Sequence, residues 1–364
     1  MNNGDKSKTR ERDSVLARFM LGFDGESLLS ELADYLERGL AGVVIYRRNY
    51  SSVGSLRALT SEIRRAAGRP LLIGIDQEGG TRFALPPPFT AWPSAADLGR
   101  AGNLESVEQI ARAMAIELRA VGCNLNFAPM LDLHVNPESP VTSDRSFGAD
   151  PRLVAKLGVA FDRGLRAGGV LSCAKHFPGH GDTVVDPHRD LPVFMGTMER
   201  LESSELAPFE AAVKAGAPLI MTAHILLPRI DAENPASLSR IMLGNVLRQR
   251  MGFEGIVLAD DLGMGAIAKR YGPGDASVRT LLAGTDVAML CHDWSAVAPA
   301  VAAVVEARKE GRFNEQEWCA SLDRIERVCA LADIPGEIPP LEVVGCHEHM
   351  AVATRIRAEI GRIS

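Results

Sequence analysis

Within sixteen residues the chain gathers a lysine, three histidines and three acids: Lys175-His176-Phe177-Pro178-Gly179-His180-Gly181-Asp182-Thr183, continued by Asp186-Pro187-His188-Arg189-Asp190. Glycine and proline break any helix or strand here, so these groups sit on a loop. The loop leaves the apolar run Val170-Leu171-Ser172-Cys173-Ala174, which reads as a buried strand. A rigid strand feeding a loop rich in titratable groups is a common way to place chemistry. The plain alternative, an exposed polar loop, loses ground because other apolar runs end the same way. Their exits carry Arg47-Arg48-Asn49, Asp76-Gln77-Glu78, Asp132 with Asp144-Arg145 beyond it, His224, Asp260-Asp261 and His292-Asp293. Any one of these would pass for a capping carboxylate or a satisfied core histidine. Together they describe a polar pocket in which cations and anions converge.

The elements that position them repeat. Apolar runs at 17–23, 42–46, 71–75, 123–128, 170–174, 219–223, 255–259 and 286–290 are rich in Val, Ile and Leu and lack polar alternation. That pattern suits strands buried on both faces, as in a parallel sheet. Between them, Val107, Ile110, Ala111, Met114 and Leu118 share one helical face, as do Leu153, Val154, Leu157, Ala160, Phe161 and Leu165. Strand–helix alternation repeated about eight times favours an α/β fold of the closed (β/α)₈ kind over an open doubly wound sheet. In that fold the strand exits form the active site. A single catalytic domain is expected over 14–333, with a flexible leader at 1–13 and a C-terminal packing segment at 334–364 after the Pro-rich stretch Ile334–Glu342.

Composition excludes several classes. Of 364 residues, 46% are hydrophobic and 24% charged, the balance of a globular protein with a sizeable core. A formal charge of −6 without a long basic run argues against a general nucleic-acid binder. No apolar stretch is long enough to span a bilayer, and the polar start is unlike a signal peptide, so a cytoplasmic, membrane-free protein is expected. The six cysteines are scattered, the pattern of reduced thiols. Cys346-His347-Glu348-His349 lacks a second ligand cluster at zinc spacing, and Gly79-Gly80 lacks dinucleotide-fingerprint spacing, so no metal and no cofactor is called for. Monomer is the expected state.

Two chemistries suit the pocket. Lys175 would serve as a Schiff-base lysine if desolvated, an aldolase-like arrangement. The acids, with Lys and Arg, equally suit a polyhydroxylated neutral ligand: carboxylates accept from sugar hydroxyls and the cations donate to sugar oxygens. Glycoside cleavage needs an acid for the leaving oxygen and, with retention, a carboxylate nucleophile.

The segments Asp76-Gln77-Glu78-Gly79-Gly80, Asn126-Phe127-Ala128-Pro129, Arg145-Ser146-Phe147-Gly148, the lysine–histidine stretch from 175 to 183 and Asp260-Asp261-Leu262-Gly263-Met264 resemble, in order, the motifs of glycoside hydrolase family 3. The resemblance covers about Ala17 to Leu331 and is strongest to the single-domain β-N-acetylhexosaminidase subgroup. It implies a (β/α)₈ barrel and a retaining mechanism through a covalent intermediate. It places the nucleophile at Asp260, with Asp261 structural, and the acid/base at His188, oriented by Asp186. It assigns Asp76, Arg145, Lys175 and His176 to the sugar hydroxyls and the 2-acetamido region. The implied substrate is a terminal β-N-acetylglucosaminide, and the implied context is peptidoglycan recycling. Two positions depart from the pattern: Ala84 stands where a sugar-binding arginine is usual, and Ala259 where serine is common. Arg82 is a candidate substitute for the missing arginine.

Three other readings keep the same pocket. A phosphorylase would use phosphate as acceptor, which a histidine acid/base repels less than a carboxylate does. A β-glucosidase-type exo-enzyme would follow if Ala84 removes acetamido recognition. A non-catalytic sugar-binding barrel needs neither the Asp186–His188 pair nor Asp260.

Overall fold

The computed structural model describes residues 15–83, 85–333 and 337–362. The expected leader and Ala84 lie outside them. Eight parallel strands close on themselves: β1 Phe19–Gly22, β2 Gly42–Ile45, β3 Leu72–Ile75, β4 Leu125–Asn126, β5 Leu171–Phe177, β6 Leu219–Thr222, then β9 Ile256–Asp261 and β10 Val287–Leu290, with β10 pairing back onto β1. Each lies within or overlaps one of the eight apolar runs. Between β6 and β9 the sequence pattern missed a small antiparallel pair, β7 Leu226–Leu227 and β8 Asp231–Pro235, and a π-helix at Ile241–Arg250. The β8 segment is polar and only five residues long, too short to show a period.

Strand alternation sorts side chains into two cores. Met20, Val44, Leu72, Leu125, Leu219, Met221, Ile256, Leu258, Val287 and Met289 fill the barrel. Their neighbours Leu21, Val43, Ile73, Ile220, Val257 and Ala288 pack outward under the helices. Gly74 belongs to the inner set: a Cβ there would lie 2.4 Å from the Phe127 ring and 2.8 Å from Met20, so its missing side chain makes room for both. Continued one step past the apolar layer, the inner parity reaches Tyr46 just after β2, Asp76 just after β3, Lys175 on β5 and Asp260 on β9. The same alternation that packs the core therefore aims these four at the barrel mouth.

The helices expected around 107–118 and 153–165 are Leu104–Ala120 and Pro151–Ala167. Asn103 and Asp150 cap them through side-chain acceptors, and Pro151 occupies the first turn, where a missing N–H costs nothing. At the far end, helix His347–Ile360 is tied to the barrel by Glu117, which is almost fully buried. Glu117 accepts from the Thr90 hydroxyl, the Gly345 N–H and His349 Nδ1 at 2.6, 2.9 and 3.0 Å. His349 of the Cys346-His347-Glu348-His349 cluster thus has a structural partner. All six cysteines are free, four of them buried; Cys319 is exposed.

Candidate active site

The strand exits surround a cavity of about 390 Å³ at the barrel mouth. Asp76, Arg145, Lys175, His176, Asp186, His188 and Asp260 all line it, so the seven residues to which the resemblance assigned catalytic and sugar-binding roles are brought together. Arg82 also lines the cavity, with Nη1 donating to the Pro140 carbonyl at 2.6 Å.

Asn126 on β4 fixes the exit of β3. Its side-chain amide accepts from the Gln77 N–H at 3.0 Å and donates to the Gln77 carbonyl at 2.8 Å, extending the sheet by one side chain. Asp76 and Glu78 flank that anchored residue. Lys175 Nζ meets Asp76 Oδ1 at 2.8 Å and Glu78 Oε1 at 2.6 Å. Arg145 forks onto Glu78, with Nε and Nη2 both at 2.8 Å. Burial opposes ionisation of Glu78, but Arg145 and Lys175 outweigh it and bring its pKa to about 2. Burial likewise works against the Lys175 ammonium, and Asp76 and Glu78 reverse that, leaving its pKa above the ordinary lysine value. A Schiff-base lysine needs the opposite shift, so the aldolase-like reading fails here. The turn after Glu78 brings the Phe83 ring over both cations, 4.2 Å from the Arg145 guanidinium and 5.4 Å from Lys175 Nζ.

A second buried acid organises the histidines. Asp132 has no exposed surface; its Oδ2 meets His176 Nδ1 at 2.7 Å and its Oδ1 accepts the His180 N–H at 2.7 Å. Burial raises the Asp132 pKa, and His176 and His180 bring it below the usual carboxylate range. The His176 ring is thereby held with Nε2 turned away from Asp132. The Lys175–His176 peptide is cis, and both side chains line the cavity. His180, fully buried, has its pKa pushed down to about 4, chiefly by desolvation.

Asp260 is half-buried at the end of β9. Its Oδ1 accepts the Asp261 N–H at 2.8 Å. Burial favours its neutral form, but the His176 and His224 rings, that N–H and Lys175 outweigh burial, so its pKa falls below the ordinary value. The group stands as a carboxylate, the form in which it is nucleophilic.

His188 is exposed on the loop, its Nδ1–H donating to Asp186 Oδ1 at 2.9 Å, and that same oxygen accepts the His188 backbone N–H at 2.9 Å. The pair fixes the imidazole with Nε2 free. The loop is docked on the segment after β9: the Ala266 N–H donates to the Pro187 carbonyl at 3.0 Å, the Gly265 N–H donates to the His188 carbonyl at 3.2 Å, and Arg270 pairs with Asp190 at 3.0 Å.

Sequence reading assigned no role to Glu78, Asp132, Phe83, Tyr46 or His292, all of which the structure puts in or directly beneath this cavity. Glu78 and Asp132 were visible as strand-exit acids. Their tasks depend on partners 67 and 44 residues away, which local spacing does not reveal.

A closed parallel barrel whose mouth gathers a carboxylate and a loop-borne Asp–His pair into one cavity defines an enzyme of the (β/α)₈ class. The family model for the glycosyl hydrolase family 3 N terminal domain matches residues 26–328. A β-hexosaminidase of Xylella fastidiosa is 38% identical over 280 residues, 75% of this chain and 83% of that protein. A family 3 β-N-acetylglucosaminidase from Paenibacillus superposes with a TM-score of 0.89 at 35% identity, covering 96% of this chain and 68% of the other. NagZ from Neisseria gonorrhoeae, solved with N-trifluoroacetyl-D-glucosamine, superposes with a TM-score of 0.77 at 29% identity, covering 94% and 98%. The chain belongs to glycosyl hydrolase family 3 and is a glycoside hydrolase.

Proposed function

We propose that the protein is a retaining, exo-acting β-N-acetylhexosaminidase that removes terminal β-N-acetylglucosamine. The observation that carries this is the meeting, in one cavity, of the ionised Asp260 and the Asp186–His188 pair. The loop bearing that pair is docked on the segment that follows the Asp260 strand. The relatives named β-hexosaminidase and β-N-acetylglucosaminidase support the choice of sugar.

In the first step the Asp260 carboxylate attacks the anomeric carbon. The bond to the leaving oxygen breaks, and that oxygen takes the proton from His188 Nε2. The product is a glycosyl ester on Asp260 and a neutral imidazole. In the second step a water attacks the same carbon, its proton passes to His188, and the ester bond breaks to regenerate the Asp260 carboxylate. Asp186 acts through orientation: by accepting from Nδ1 it leaves Nε2 as the atom that loses and regains the proton. Asp76, Arg145, Lys175 and His176 bind the sugar. Lys175 and Arg145 donate to its oxygens while Glu78 balances their charge. Peptidoglycan recycling in the cytoplasm is the context we infer. Among the described residues no helix is long and apolar enough to cross a membrane. The catalytic unit we infer spans 14–333, with 334–364 as a packing segment.

The test is nitrophenol release from the 4-nitrophenyl β-glycosides of N-acetylglucosamine and glucose. A clear preference for the acetamido sugar is expected. A preference for glucose would move the specificity elsewhere in the family.

A further inference from the structure

Asp261 is split in function. Its Oδ1 is structural: it accepts the Gly263 N–H and the Cys291 N–H, both at 3.0 Å, and so ties the exit of β9 to that of β10. Its Oδ2 is buried and has no hydrogen-bond partner among the described residues, and Asp261 is one of the residues lining the cavity. A buried carboxylate oxygen left unpaired costs free energy, so its retention in a pocket wall calls for a ligand donor.

The matching group is His292, 57% exposed at the cavity rim. Arg48 Nη1 approaches His292 Nδ1 at 3.2 Å, and a guanidinium only donates, so Nδ1 is the acceptor and Nε2 carries the hydrogen. The ring packs against Tyr46, with centroids 5.0 Å apart and the planes tilted by 42°. Arg48 is itself fixed by the Phe23 and Cys291 carbonyls and by Asp24. His292 Nε2 then lies 3.9 Å from Asp261 Oδ2, too far for a direct hydrogen bond. The gap is right for one hydroxyl set to the side, accepting from Nε2–H and donating to Oδ2, about 2.8 Å from each.

We infer that Asp261 Oδ2 and His292 Nε2 clamp one hydroxyl group of the sugar, making Asp261 and His292 specificity-determining residues at the exits of β9 and β10. A hydroxyl both donates and accepts, so the two groups together select it over an ether or a bare C–H. The inference rests on the glycosidase reading above and extends its sugar-binding set to β9 and β10.

The experiment uses Asp261→Asn and His292→Ala. The asparagine carbonyl preserves the acceptor for Gly263 and Cys291 and places an NH₂ where Oδ2 was. Binding of free N-acetylglucosamine is measured by calorimetry, which needs no turnover, beside kcat/KM on the nitrophenyl substrate. Each variant is expected to weaken both by about ten- to a hundredfold, the range for a hydrogen bond to a charged group. The double variant is expected to lose little more than either single one, because both contact the same hydroxyl. Among the 3-, 4- and 6-deoxy analogues of the nitrophenyl substrate, one is expected to be cleaved poorly by the parent and no worse by the variants. Parent-like affinity in both variants overturns the clamp, as do fully additive losses or equal losses on all three analogues. If the unaltered protein neither binds N-acetylglucosamine nor cleaves the substrate, the functional reading fails and the clamp fails with it.

Discussion

Gly265 donates its backbone N–H to the carbonyl of His188 at 3.2 Å, so the residue five positions after Asp260 holds the loop that carries the proposed acid/base. The approach is close enough that side-chain size matters. A Cβ on Gly265 would stand 2.6 Å from the His188 carbonyl oxygen and 2.8 Å from that of Arg189, both main-chain atoms with little room to give. The strand bearing the carboxylate and the loop bearing the histidine are thereby coupled through backbone.

Gly265→Ala is therefore expected to push the loop outward while leaving the barrel intact. Activity on the nitrophenyl substrate should fall about tenfold to a hundredfold, mostly in kcat, the cost typical of displacing a catalytic group by about 1 Å. Thermal stability should barely move. Steady-state kinetics beside a melting curve check both halves, and parent-like kcat would show that the docking does not position His188.

Glu78 neutralises two buried cations, Arg145 and Lys175, at 2.6 to 2.8 Å. Glu78→Gln removes the charge and keeps the volume. Breaking a buried ion-pair network on one side typically costs about 3–5 kcal/mol. Urea unfolding at neutral pH should show a loss on that order, and sugar affinity should fall with it as Arg145 and Lys175 shift. A loss below about 1 kcal/mol, the range of a surface pair, would contradict the account of this cluster.

His180 gives a pH signature. Its folded-state pKa, about 4, lies below the ordinary histidine value of 6.5, so between those values the unfolded chain binds the extra proton. Stability from this site is full above about pH 6.5 and is lost as pH falls towards 4, up to roughly 3 kcal/mol in all. Glu78 adds a loss at lower pH. Its pKa of about 2 is depressed from 4.5, so its contribution holds above 4.5 and disappears as pH falls towards 2. Unfolding free energies at pH 7, 5.5 and 4.5 for the parent and His180→Asn should converge as pH falls. Parallel curves would show that burial of neutral His180 does not contribute.

Much of this was legible in the sequence because apolar period and strand parity are local. The eight runs and the helices at 104–120 and 151–167 follow from side chains a few positions apart. The parity that buries Leu72 and Gly74 inside the barrel also directs Asp76 inward, and Ile256 and Leu258 do the same for Asp260. What stayed hidden depends on contacts between distant segments. The twofold hold of Asp132 on His176 and His180 is of that kind, as are the fork of Arg145 on Glu78 and the anchoring of His349 by Glu117. The small β7–β8 pair left no periodic trace because each strand is too short to show one. Asp261 was legible only as structural. Its Oδ1 is so, and the separate orientation of its Oδ2 appears only with the fold in place.

The central claim is that Asp260 becomes covalently glycosylated. It is tested most directly by incubating the protein with a 5-fluoro N-acetylglucosaminyl fluoride, which slows both steps but breaks down more slowly than it forms. Intact mass followed by peptide mapping is then read. The account predicts one added sugar per chain, on the peptide containing Asp260, and no adduct in Asp260→Asn. An adduct on another residue, or steady turnover of the nitrophenyl substrate by Asp260→Asn, would contradict it.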